Sequence, residues 1–96
     1  TSVPNMLPLN PFTTTSGSAT ISVNEPNHGR STSDTVRFRD ALNVGGVSAN
    51  TINDSSGYTI TKVDDNNYTF ATGTTSTITE EGGGGSASAG PVTVSS

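Results

Sequence analysis

The chain has 96 residues, no Cys, and a formal net charge of -4 from eight acidic and four basic side chains. That length fits one domain of ordinary small size and leaves no room within it for a multidomain enzyme. Without cysteine there is neither a disulfide framework nor a thiolate metal site. Without a basic cluster there is no electrostatic footprint for a phosphate backbone, so nucleic acid is not an expected partner. No apolar run reaches the roughly 18 residues of a membrane span, and no basic stretch precedes a signal-like apolar block, so no membrane partner is expected either. Thr1 is compatible with loss of an initiator Met or with trimming from a longer chain. Leu, Ile, Val and Phe make up roughly 19% of the chain, at the boundary of what folds alone. Charged residues are only 12%, however, so the high net charge of a disordered chain is missing. The composition predicts a folded but thinly cored domain.

Residues 1–12, TSVPNMLPLNPF, hold three of the five prolines. That spacing predicts an extended N-terminal arm in which neither a helix nor a central strand can run. The arm carries Val3, Met6, Leu7, Leu9 and Phe12, apolar side chains that gain nothing unless they lie on another surface. That surface belongs either to a neighbouring subunit or to the arm's own domain. Residues 13–96 read as one β-domain. After a turn at Thr15-Ser16-Gly17, Ala19, Ile21 and Val23 alternate with Thr20 and Ser22, the period of a half-buried strand. A polar loop of Pro26, Asn27, His28, Gly29 and Arg30 follows. The next strand points Val36 and Phe38 inward and Thr35, Arg37 and Arg39 outward.

Gly45-Gly46 and the stretch from Asn50 to Gly57 make a long polar connection, with Val44, Val47 and Ile52 as a satellite cluster beneath it. Tyr58 to Phe70 reads as a β-hairpin around Asp64-Asp65-Asn66-Asn67. The simplest register sets Val63 opposite Tyr68 and Thr61 opposite Phe70, unless a bulge moves it. Ser76 to Ile78 suggests a short strand, Gly82 to Gly85 a flexible or tightly turned loop, and Val92 with Val94 a closing strand. No segment shows helical periodicity. About a third of the chain is Ser or Thr, and Thr suits exposed strand faces.

The segments NPFTTTSGSATISV, NHGRSTSDTVRF, VGGV and GYTITKVDDNNYTF, in that order, resemble a β-module that recurs in tailed-bacteriophage virion proteins. The matching residues are Asn10, Pro11, Phe12, His28, Gly29, Asp34, Val36, Phe38, Gly45, Gly46, Tyr58, Asp64, Tyr68 and Phe70. In three places the chain departs from the pattern. Arg30 stands where the module commonly has an apolar residue, Ser33 replaces a common Gly, and Arg39-Asp40 replaces a small turn-forming pair. These departures bear on loop conformation and not on the strands. The resemblance implies an antiparallel β-sandwich or small β-barrel built into a virion, in a tail, neck, fibre or capsid-decorating position, without enzymatic activity.

Each candidate for chemistry also has a plainer reading. His28 is the sole His, and Glu25-Pro26-Asn27-His28-Gly29 gives it few partners for acid-base or metal work, so a loop-fixing role is favoured. One possible base and no strand-turn-helix nucleophile motif argue against a Ser-His-Asp hydrolase. Asp64 to Asn67 is oxygen-rich but lacks EF-hand spacing. Glu80-Glu81 beside the glycine run lacks the Lys and Ser/Thr of a phosphate-binding loop. Asn53-Asp54-Ser55 and Asn67-Tyr68-Thr69 match a glycosylation pattern that arises by chance in so Asn- and Thr-rich a chain. No catalytic residue, metal ligand or cofactor is expected.

Arg37 and Arg39 are candidates to pair with acids on a neighbour, or simply guard an edge strand from aggregation. The short list of large core candidates (Ile21, Val23, Val36, Phe38, Ile60, Tyr68, Phe70, Val92 and Val94) suggests that assembly supplies the missing burial. The expected partners are other copies of the chain and neighbouring virion proteins, reached through the arm residues, Arg37, Arg39 and sheet edges. A receptor- or carbohydrate-binding module is the alternative, and it lacks an exposed aromatic platform because Tyr58 and Tyr68 both lie in the hairpin.

Overall fold

The computed structural model describes residues 4–92. Val3 and Val94, both assigned roles above, lie outside the described residues. Eight strands and one short helix follow in chain order: β1 (Asn5–Met6), β2 (Phe12–Thr14), β3 (Thr20–Asn24), β4 (Thr35–Arg39), α1 (Ala49–Ile52), β5 (Tyr58–Asp64), β6 (Asn67–Ala71), β7 (Glu80–Gly82) and β8 (Ser88–Gly90). Every strand pairing is antiparallel, in the order β1-β8-β4-β5-β6-β3-β2-β7. The all-β antiparallel class read from the sequence is thus the class observed.

The sheet is rolled rather than flat. Phe12 on β2 and Phe38 on β4 lie four strand spacings apart, about 19 Å in a flat sheet, yet their rings meet edge to face with centroids 5.2 Å apart. The corner is β5. Its Tyr58 and Thr59 pair with β4, whereas from Ile60 onward it pairs with β6. Backbone bonds between Ser33 or Asp34 and Ile60 carry the chain around the bend. Inside the roll the alternation of β3 and β4 works as expected, with Ile21, Val23, Val36 and Phe38 all buried.

The extended arm is not what the structure shows from Pro4 onward. β1 pairs with β8, Leu7 N–H donates to Ala87 O at 2.9 Å, and Phe12 opens β2 between β3 and β7. Pro4, Pro8 and Pro11 flank these two short strands instead of interrupting them, a position that costs no ladder hydrogen bond. Leu7 and Phe12 are therefore buried in their own domain, and Met6 and Leu9 remain exposed. The core is accordingly fuller than the sequence suggested. Leu7, Phe12, Ala41, Ala87 and Ala89 join it, and Val44, Val47 and Ile52 belong to the same cluster rather than to a satellite.

Local geometry explains the other differences. In the hairpin Ile60 faces Phe70, Thr61 faces Thr69 and Lys62 faces Tyr68, with an irregularity before Asp64 pairs with Asn67. The residue skipped is Val63, which is exposed. Asp65 and Asn66 form the turn without positive φ, so a bulge absorbs the twist that a primed turn would have supplied. Val44 and Val47 exchange backbone hydrogen bonds across Gly45 and Gly46 (φ 59° and 84°), a primed turn that only glycine enters without strain. One helical turn, α1, follows, with Ser48 as its N-cap. The strand expected at Ser76 to Ile78 forms instead at β7, and the last strand among the described residues is β8, with Val92 in a bend beyond it. Among the glycines expected to be flexible or turned, Gly82 is in β7, and Gly83 has φ 106° and lies where a β-carbon would come within 2.3 Å of the Phe12 ring.

Candidate functional site

The most concentrated polar chemistry among the described residues surrounds Glu25, which follows β3 and is 1% exposed. Arg30 Nε donates to Glu25 Oε1 at 3.0 Å and Arg30 Nη2 to Oε2 at 3.1 Å, a two-point ion pair. Tyr68 Oη–H of β6 donates to Oε1 at 2.6 Å, and Asn5 Nδ2 of β1 donates to Oε2 at 2.9 Å. Four donors fill the carboxylate's lone pairs, the condition under which a buried charge is tolerated. Arg30 also donates to Ala89 O at 3.2 Å. Glu25 and Arg30 together therefore clamp β1, β3, β6 and β8 to one loop.

The same contacts shift the titration of the partners. Burial pushes the Tyr68 phenol far above its ordinary value, and its hydrogen bond to Glu25 and that residue's charge push it further. Burial works against the Arg30 charge, but Glu25 outweighs it, and the guanidinium sits above its ordinary value. His28 fastens the loop to the hairpin tip. Its Nδ1 accepts from Arg30 N–H at 2.8 Å, which leaves Nε2–H to donate to Asp64 O at 2.6 Å. Asp64 accepts from Asn66 N–H at 2.8 Å and from Asn67 Nδ2 at 3.0 Å, and these bonds hold its carboxyl below the usual range. A concavity of about 560 Å³ opens beside this cluster, with Asn5, Asn27, Arg30, Asp34 and Thr35 in its wall.

The assembly candidates do not converge on this cluster. Leu7 and Phe12 are in the core, Met6 and Leu9 lie exposed, and Arg37 and Arg39 line a separate concavity of about 400 Å³ with Asp40 and Asn53. The two arginines are half-buried rather than fully outward. Of the glycosylation matches, Asn53 commits its amide to Ala41, donating to its O and accepting from its N–H at 3.0 Å each, and Asn67 commits its own to Asp64. Sequence reasoning passed over Glu25. The available signal was an acid and a base flanking the Pro26 to Gly29 turn, together with Tyr68, whose hydroxyl needs a partner wherever its ring is buried.

The three sequence departures fall into place here. Arg30, at a position where the resemblance implies an apolar residue, pairs with the buried Glu25. Ser33 (φ 81°) and Asp40 (φ 61°) both adopt the left-handed conformation that glycine enters more readily.

Fold and site together define a small antiparallel β-domain with a rolled sheet and a clamped loop. No protein-family model and no curated protein matches the chain. Among solved structures it is similar to part of the phage phi92 endosialidase, at 20% identity and a TM-score of 0.66, over 92% of this chain and 12% of that one. The likeness is one of fold, and the chain spans only that 12% of its neighbour's length.

Proposed function

We propose that this domain is a non-enzymatic β-module of a tailed-phage particle, located in the virion and present in multiple copies as a tail, neck or capsid-decorating component. The observation that carries the reading is the match of nearly the whole chain to a domain-sized piece of a much longer phage protein. The ordered motifs from Asn10 to Phe70 point the same way. With Leu7 and Phe12 committed to the core, the arm residues left among the described ones as apolar contacts for other copies or neighbouring virion proteins are Met6 and Leu9, 64% and 74% exposed, and Leu42, Val63 and Ile78 are exposed elsewhere. Among the described residues the sheet ends at β1 and β7, so strand addition at either edge is the second route. Quantitative mass spectrometry of purified particles tests the proposal: a fixed copy number per particle supports it, and absence from particles overturns it.

One observation favours a receptor- or carbohydrate-binding module instead. The concavity beside Glu25 is walled by polar side chains suited to a hydroxyl-rich ligand. Saturable glycan binding that Asn27→Ala and Thr35→Ala abolish would favour this second reading.

A further inference from the structure

Of the four basic side chains, the ion pairs among the described residues engage two, Arg30 with Glu25 and Lys62 with Asp65. Arg37 and Arg39 are the other two. They lie two residues apart on β4 and so share one face of the sheet. Their hydrogen bonds go to neutral carbonyls: Arg37 Nη1 donates to Val92 O at 3.4 Å, and Arg39 Nη2 donates to Pro91 O at 2.8 Å and Val92 O at 3.2 Å. Arg37 Nε and Arg39 Nη1 are buried without a partner among the described residues.

Two half-dehydrated like charges side by side, with no counter-charge among the described residues, are unfavourable until an anion joins them. Other groups facing the same concavity do not supply one. Asn53 is committed to Ala41, and Asp40 forms no ion pair with either arginine among the described residues. We infer that Arg37 and Arg39 form an oxyanion site whose occupant is a carboxylate. A guanidinium fork matches the planar carboxylate, with each arginine able to donate to it. With Asp40 in the wall, the two arginines leave one positive charge in excess, which a singly charged carboxylate neutralises and a phosphate dianion overshoots. The inference rests on the charges of this chain and holds whether or not the domain belongs to a phage particle.

The test is titration of the isotope-labelled full chain with acetate at ionic strength held constant by chloride, following the arginine Nε–H signals by NMR. Saturable shifts at Arg37 and Arg39, with Arg30 unmoved in its pair with Glu25, are the expected result. Arg39→Gln weakens acetate binding by about tenfold, the loss of one charge-assisted hydrogen bond. Shifts that never saturate, that appear equally at Arg30, or that are stronger with inorganic phosphate overturn the assignment. The wild-type titration decides even where a variant fails to fold. Sedimentation at rising protein concentration identifies the carboxylate's source: self-association that acetate competes away assigns it to a second copy, and a monomer that binds acetate saturably assigns it to a separate molecule.

Discussion

Glu25 with Arg30 and Arg37 with Arg39 are the two places where this sparsely charged chain takes charge partly out of water, and it does so in opposite ways. At Glu25 every lone pair meets a donor and the nearest cation is fixed at two points. On β4 two cations share a face and donate hydrogen bonds to carbonyls that carry no charge. The first region is complete in itself and belongs to stability. The second has no counter-charge among the described residues, and it is there that we infer an anion site. Partial burial alone does not distinguish the two, but the partner of each charge does.

Removing the clamp tests the contrast most severely. Glu25→Ala leaves Arg30 and the Tyr68 hydroxyl without their acceptor, and urea unfolding is expected to show a loss of about 3–5 kcal/mol, the usual cost of orphaning a buried charge. Replacing both partners, as Glu25→Leu with Arg30→Met, should recover much of that loss. Tyr68→Phe is expected to cost about 1–2 kcal/mol at neutral pH in the same assay. It also changes the alkaline limb. Folding raises the Tyr68 pKa, so its contribution is full below the unfolded value of about 10 and fades as pH rises past it. Denaturant midpoints of the wild type should therefore fall above pH of about 10, and those of Tyr68→Phe should lack that component.

The β4 pair should respond more mildly. Arg39→Gln removes hydrogen bonds to two carbonyls and relieves repulsion from Arg37, so a net change within about 1 kcal/mol is expected in urea. A loss as large as that of Glu25→Ala would mean that the two regions play the same role. The smallest effect is a gain. Ser33→Gly frees a residue held at positive φ, and calorimetry should show stabilisation of about 0.5–1 kcal/mol.

What the sequence disclosed follows from the same physics. Ile21 with Val23 and Val36 with Phe38 were legible because a side chain every second residue must enter the core, and the Tyr58 to Phe70 hairpin because its turn residues announce it. β8 was not legible because Ser88, Ala89 and Gly90 carry almost no apolar signal. Ala89 is nonetheless fully buried, and it is the small size of its side chain that fits this crowded position. Residues 4–12 depart from the expected arm because their prolines delimit two short strands, β1 and β2, instead of excluding a central strand. The hairpin register depended on a bulge at Val63 that no composition reveals. Glu25 escaped because a buried carboxylate is recognisable only by its donors, and Asn5 and Tyr68 are distant from it in sequence.

Gly82 to Gly85 would look to a protein engineer like the natural splice point. In the folded chain it behaves as a gasket: Gly83 seals the rim against Phe12, and a β-carbon on Gly82 would come within 2.7 Å of Val44. Cargo grafted there would prise the roll open, whereas the Asp65-Asn66 tip offers an attachment point beyond the seal.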